Sequence, residues 1–273
     1  MSMARLTWQE LPPAARAAVR VRTGAFLTAA DIATGANSGV AVQVLAATGA
    51  VFIKGIPVNH GQVKTQLREA AVNPHLPKSS PRLQWHLQAG GWDLLGFEVI
   101  DGPAASFTPD SPDLWLVVDA LRELADTPCP NIELLRLKER YTAYSGTPEL
   151  FDGDHLLHTD MAPDNVLIDG SAHLIDWAWP TRGAVWADAA TWCVRLIDAG
   201  HTPAQAEQWA RRLPAFESAD PAALDAFAEA HARYWREVHR GDPARAWTRR
   251  MAAAAAVWRD HRQMRGRPAR RWR

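Results

Sequence analysis

Residues 158–176 read HTDMAPDNVLIDGSAHLID. Asp160, Asn165 and Asp176 stand within them at defined spacing, with His158 two residues before the first carboxylate. Transfer of a phosphoryl group asks little covalent chemistry of a protein. It needs one carboxylate to take a hydroxyl proton, and an amide with a second carboxylate to hold Mg²⁺ against the phosphates. Asp160, Asn165 and Asp176 supply those parts in that order. A carboxamide and a carboxylate are also the hard oxygen donors Mg²⁺ takes while it keeps several waters. Taken singly, each would read as an ordinary turn residue on a surface hairpin; the ordered set carries the chemistry.

The elements that must position these residues can be read around them. Leu156-Leu157 and Val166-Leu167-Ile168 are short apolar runs of the kind that form buried strands. Asp169-Gly170, before His173-Leu174-Ile175, is a hairpin signal. Asp160 and Asn165 therefore fall on a loop between strands, and Asp176 leaves the end of the next strand. The hairpin folds Asn165 and Asp176 back beside each other. The Asp-x4-Asn spacing and the later Asp match the catalytic loop and metal-binding Asp of kinases.

The first half of the chain reads as strand-rich. Strands are expected at 26–32, 40–46, 51–55, 82–88 and 92–100, with Thr48-Gly49 turning the second into the third. Helices are expected at 12–22 and at 62–72, the latter ending before Asn73-Pro74. Asp101-Gly102-Pro103 breaks the pattern. The second half is mainly helical. Segment 111–125 has helical apolar spacing, with Ser111 as N-cap and Pro112 in the first turn. Further helices are expected at 183–199, 203–213, 221–239 and 243–263. The last three are signalled by Thr202-Pro203, Asp220-Pro221 and Asp242-Pro243. Trp209, Trp235, Trp247 and Trp258 are expected to pack this helical part. The fold class is α+β: a five-stranded sheet with one helix over residues 1–100, then a helical region carrying hairpins over 101–273.

Composition bounds the function. The 273 residues carry 30 Lys and Arg against 30 Asp and Glu, which argues against a nucleic-acid or membrane-surface binder. Cys129 and Cys193 have no paired spacing, which fits a reducing compartment. The N-terminus lacks the apolar core of a signal peptide, and no apolar run approaches the ~20 residues of a membrane span. A cytoplasmic enzyme, monomeric or homodimeric, is expected. The basic segment 262–273 reads as a solvated tail.

On these motifs the chain resembles the aminoglycoside phosphotransferase-like (APH/choline kinase) family of the protein-kinase-like superfamily. The resemblance runs from about residue 26 to 199. Its most specific parts are His158-x-Asp160-x4-Asn165, Ile175-Asp176-Trp177 and Gly183-x4-Asp188. It implies a bilobal fold with a small antiparallel-sheet N-lobe and a mainly helical C-lobe. It implies Asp160 as catalytic base, Asn165 and Asp176 as Mg²⁺ ligands, His158 as a loop-ordering residue and Asp188 as a structural tie. Lys54, on the third strand, is implied to contact the ATP phosphates and to pair with Glu69 on the following helix. The small-residue loop 34–39, with Ser38, is implied to approach the phosphates, and backbone groups near Glu98 and Ile100 to meet the adenine. ATP is the implied donor, GTP being possible, and the acceptor a hydroxyl of a small molecule such as an aminoglycoside, another antibiotic or a related metabolite. Asp152, Asp154, Asp164 and Glu149 lie close enough in sequence to meet the ammonium groups of an aminoglycoside, or to be turn residues. A catalytically silent nucleotide-binding protein stays open beside the kinase. A metallohydrolase using His155, His158 and Asp160 is disfavoured, because His155 and His158 sit three apart on a strand and face opposite ways.

Overall fold

The computed structural model describes residues 5–32, 38–47 and 49–265. Five strands, β1 (Phe26–Asp31), β2 (Val40–Ala46), β3 (Gly49–Pro57), β4 (Leu83–Ala89) and β5 (Trp92–Phe97), form one antiparallel sheet in the order β1-β2-β3-β5-β4. Two helices flank it. The apolar stripe of α1 (Pro13–Thr23), with Ala15 and Val19, joins Trp8 and Leu11 on Val42, Val44, Val51, Ile53 and Leu94. The second helix, α2 (Val63–Val72), lies along β3 and β5. With cover on both faces, β5 is buried along its whole length. Successive side chains alternate between faces, so Ile53 enters the apolar core and Lys54 turns to the side of α2.

The connector after β5 is fastened to the hairpin at residues 166–174. Its residues 103–105 pair with β8 (Val166–Asp169), the Ile168 N–H reaching the Pro103 carbonyl at 2.9 Å and the Ala105 N–H the Val166 carbonyl at 2.8 Å. A Cβ on Gly102 would stand 2.0 Å from the Ile168 carbonyl oxygen, so only glycine fits. The mainly helical part holds α3 (Asp113–Asp126), α4 (Leu137–Arg140), α5 (Ala187–Asp198), α6 (Pro203–Ala210), α7 (Pro214–Glu217), α8 (Pro221–Gly241) and α9 (Ala246–Arg265). A second, larger core runs through them, built on Phe151, Trp177, Trp192, Phe227 and Trp258. β8 and β9 (Ser171–Leu174) make the expected hairpin, with Gly170 in the left-handed conformation at its tip. No helix among the described residues is long and apolar enough to cross a membrane.

Several expectations need correction. The helix expected at 183–199 does not begin at Gly183; Thr181–Gly183 is a strand, β10, between β6 (Leu135–Arg136) and β7 (His155–Leu157). Its backbone is satisfied by sheet pairing, and the helical run starts only at Ala187. Asp242-Pro243 does not start the last helix. Asp242 closes α8, its N–H bonding the Val238 carbonyl, and leaves the helical conformation, so a turn intervenes before Ala246. The expected helix at 203–213 stops at Ala210, and Leu213 is extended before Pro214, as steric conflict with a proline ring favours. Ser111 is not the N-cap of α3, which starts at Asp113, although its hydroxyl accepts from the Asp113 N–H at 3.3 Å. Trp258 is fully buried and Trp235 nearly so, but Trp247 is 40% exposed. The turn at Thr48, residues 34–37 of the small-residue loop and the tail from 266 onward lie outside the described residues.

Candidate active site

β7 delivers the chain to the loop, and buried hydrogen bonds fix the loop's backbone. The Asp188 carboxylate, in the first turn of α5, accepts from the N–H groups of His158 (2.8 Å) and Thr159 (2.7 Å). Those bonds hold Thr159 at φ 66°, a left-handed conformation unusual for a residue with a branched Cβ. The buried His158 ring spans the site. Its Nε2 lies 2.8 Å from the Ile175 carbonyl and its Nδ1 accepts from the Asp160 N–H at 3.3 Å, so the partners require the proton on Nε2. One ring thus ties the residue before Asp176 to Asp160. The expected roles of His158 and Asp188 as ordering groups agree with these bonds.

Asn165 sits in a one-turn helix just before β8. Its side-chain N–H donates to the Asp160 carbonyl at 3.1 Å, which leaves the amide oxygen for another partner, and its own carbonyl accepts from Ile175 at 2.9 Å. Asp176, at φ 60°, reverses the chain after β9. Both line a cavity of about 330 Å³ together with Lys54, Glu69, Ser38, Glu98 and Ile100. All the expected nucleotide and metal residues therefore border one space. Asp160 is adjacent in the loop, and its side chain is 37% exposed.

Lys54 is the electrostatic centre of that cavity. Its ammonium lies 2.5 Å from Glu69 Oε2 and 2.8 Å from Asp176 Oδ1. Burial disfavours the lysine's charge, but the carboxylates of Asp176 and Glu69 outweigh it and raise its pKa. Burial likewise pushes Glu69 up to about 7, against the pull of Lys54. At the far end of the cavity, the Glu98 N–H bonds the Arg82 carbonyl and its carboxylate takes the Arg82 N–H, each at 2.9 Å. These bonds extend the β4–β5 pairing past Phe97 to Glu98.

No family model matches the sequence, and no curated protein matches it. Solved structures do. A thermostable mutant of aminoglycoside phosphotransferase APH(4)-Ia, in ternary complex with ADP and hygromycin B, aligns over 93% of this chain and 99% of its own, at 13% identity and a TM-score of 0.64. Aminoglycoside phosphotransferase APH(3'')-Id from Streptomyces rimosus, in complex with ADP and streptomycin, aligns over 78% and 94%, at 13% identity and 0.53. Choline kinase LicA from Streptococcus pneumoniae aligns over 90% and 98%, at 9% identity and 0.58. The chain has the aminoglycoside phosphotransferase fold. It is bilobal and kinase-like, with the antiparallel sheet in the small lobe.

One prominent residue of this aminoglycoside phosphotransferase fold went unremarked in the sequence. Arg195, on α5, donates to Asp160 Oδ1 at 2.8 Å. Its guanidinium lies over the Trp235 ring, 5.5 Å from the centroid. The Trp235 N–H in turn donates to His231 Nε2 at 2.9 Å, and His231 Nδ1 lies 2.6 Å from the Tyr141 hydroxyl. A chain of contacts thus runs from the core to one oxygen of Asp160. The available signal was a lone arginine in the otherwise apolar stretch WCVRLI of a buried helix.

The four acidic residues near the loop are placed otherwise. Asp152 is held by Lys138 at 2.6 Å and Arg136 at 3.0 Å, which lower its pKa to about 2, the Lys138 hydrogen bond foremost. Asp154 is exposed beside Arg182 at 3.4 Å. Asp164 borders the nucleotide-sized cavity, and Glu149 is exposed on the turn 148–151. His155 lines a different cavity, behind the loop, and no cluster of three or more His, Cys, Asp or Glu able to hold a metal occurs among the described residues.

Proposed function

We propose that this chain transfers the γ-phosphoryl group of ATP to a hydroxyl of a small molecule. The observation that carries the reading is the convergence of Lys54 and Glu69 from the small lobe on Asp176 from the large one, beside Asp160. The nucleotides in the neighbouring structures, ADP and AMP-PNP, support an adenine nucleotide as donor. We place the lobe boundary at residues 100 and 101, where the chain leaves the small sheet.

The residues fit the donor. The backbone of Glu98 and Ile100 edges the cavity where an adenine would pair, Lys54 supplies a fixed positive charge for the α- and β-phosphates, and Ser38 lies at the phosphate end of the sheet. The amide oxygen of Asn165 and the carboxylate of Asp176 are hard oxygen donors on one cavity wall, as a Mg²⁺ site requires. A bound Mg²⁺ would neutralise charge on the phosphates. Nucleotide entry would relax the direct Lys54–Asp176 contact, since both groups would turn to the phosphates.

Asp160 acts on the acceptor. Arg195 holds Oδ1, so Oδ2 is the oxygen presented to an incoming hydroxyl. As the hydroxyl oxygen bonds to the γ-phosphorus, the bond from that phosphorus to the oxygen of departing ADP breaks, and the hydroxyl proton passes to Asp160. ATP binding followed by tryptophan fluorescence, wild type against Lys54→Ala, tests the nucleotide site. We expect binding that weakens at least tenfold in the variant. Undetectable binding by the wild-type chain, or equal binding by both, overturns the reading.

A further inference from the structure

We propose that the acceptor is a hydroxylated molecule bearing an anionic group, a carboxylate or a phosphate ester, and that Arg140 receives that group beside the exposed face of Trp179. The inference rests on the phosphotransferase reading above and narrows its substrate class.

Positive charge flanks the base on two sides. Arg195 is bound to Asp160 directly. Arg140 reaches the residue just before it, its Nη1 donating to the hydroxyls of Thr159 at 2.6 Å and Thr181 at 2.7 Å. Those two bonds use two of the five N–H groups of the guanidinium. Among the described residues nothing accepts the other three, and no carboxylate lies within ion-pair distance of Arg140. The side chain is half-buried and pinned by two short bonds, so the ordering cost of a receptor has already been met. A guanidinium held in this way, with donors to spare, presents the planar fork that carboxylates and phosphates take in a bidentate manner.

The surroundings favour the same ligand. Trp179 is 40% exposed and lies between two cations, Arg140 at 5.8 Å and Arg68 at 5.9 Å from its ring centroid. Arg68 comes from α2, so the pair brings positive charge to one spot from both lobes. Other acidic groups are engaged: Asp152 with Lys138 and Arg136, Asp154 with Arg182, and Glu237 beside the Tyr144 hydroxyl, while the buried Asp188, bound to the loop N–H groups, offsets part of the Arg140 charge without an ion pair. A polycationic acceptor would bring its ammonium groups to two arginines and meet an Asp160 already paired with one of them. An anionic acceptor finds Arg140 open. Its charged group is bound and unchanged in the reaction, while its hydroxyl meets Asp160.

The experiment measures ADP release by the full chain with MgATP in three arms. The first offers hydroxy acids such as glycerate, the second sugar phosphates such as glucose 6-phosphate, each beside its neutral parent, glycerol or glucose. The third offers streptomycin and hygromycin B. We expect kcat/KM at least tenfold higher for an anionic acceptor than for its neutral parent, and the arm that responds tells carboxylate from phosphate. Arg140→Gln should erase that advantage and Arg140→Lys should keep part of it; thermal melting of both variants confirms that they fold. Faster turnover of either aminoglycoside, or an advantage that survives in Arg140→Gln, overturns the inference and leaves the phosphotransferase standing. If no arm accelerates ADP release the inference also falls. Fluorescence titration with ATP then decides whether the underlying reading falls with it: ATP binding lost in Lys54→Ala keeps the nucleotide site, and no binding by the wild-type chain removes both.

Discussion

Asp160 has two oxygens with different neighbours, and that asymmetry is what a base needs. Arg195 fixes one, so the other points in a constant direction. Asp160→Asn keeps the shape and removes the proton acceptor. Its kcat should fall by roughly 10²–10⁴-fold, the range typical of a positioned general base. ATP affinity, which we assign to Lys54 and the 98–100 edge, should stay within a few-fold. ADP formation together with a fluorescence titration checks both, and near-native turnover by Asp160→Asn would remove the assignment. Asp188 acts one step back. In Asp188→Ala two buried N–H groups, those of His158 and Thr159, lose their acceptor, and each stranded donor costs about 1–3 kcal/mol. The melting temperature should drop, and Asp188→Asn, which retains one acceptor oxygen, should lose less. Equal losses in the two variants would mean that packing, not these bonds, explains the residue.

At the scale of elements, the hairpin and the connector work as a unit. Residues 103–105 add themselves to β8 as a further short pairing, so the connector cannot shift without moving Asn165 and Asp176. Gly102 makes the closest approach, and Gly102→Ala forces either it or the Ile168 carbonyl to give way. Overpacking of this kind costs roughly 1–3 kcal/mol. We expect a lower denaturant midpoint and weaker ATP binding together; an unchanged midpoint would show that the connector yields freely. The same region shows what the sequence discloses. The β8–β9 hairpin was readable, because Asp169-Gly170 forces one turn between two apolar runs. So was the placement of Lys54, since strand parity follows from the alternation around Ile53. β6 and β10 were not readable. Each has only two or three residues, and what makes them strands is pairing with partners remote in sequence, β6 with β10 and β10 with β7. Arg195 was hidden for a related reason. A helix shows its own apolar stripe, but not that the far end of one side chain meets a loop 35 residues away. The helix starts failed where Asp-Pro served as a turn between two helices, since cap residues and turn residues are the same types.

For the whole molecule, Lys54 joins the lobes through Asp176 while it pairs with Glu69 in its own lobe, so its loss should be felt in stability as well as in binding. Lys54→Met leaves Glu69 buried without its cation, and breaking such a pair costs about 3–5 kcal/mol. Chemical denaturation at pH 8 should show it.

The large lobe carries a second charge-sensitive point, His231. Its ring is buried, accepts from the Trp235 N–H, and faces Tyr141, Tyr234 and the cations Arg195 and Arg140. Burial first, then those two arginines, lower its pKa to about 3. In the unfolded chain the same imidazole titrates near 6.5. Between these values the unfolded state binds a proton that the folded state refuses. Stability therefore rises with pH across this window and is lost as pH falls below about 6.5, at up to about 1.4 kcal/mol per pH unit from this residue alone. The loss should reach Asp160, because His231 supports Trp235, Trp235 supports Arg195, and Arg195 holds the Asp160 carboxylate. His231→Gln retains a hydrogen-bonding side chain without the titration. It should be less stable than wild type at pH 7.5, and the gap should narrow as pH is lowered from 6.5 to 4.5. Denaturation midpoints at several pH values measure this directly. A constant gap would show that His231 takes up its proton equally in both states over that range, and the acid sensitivity of the lobe would have to come from its carboxylates.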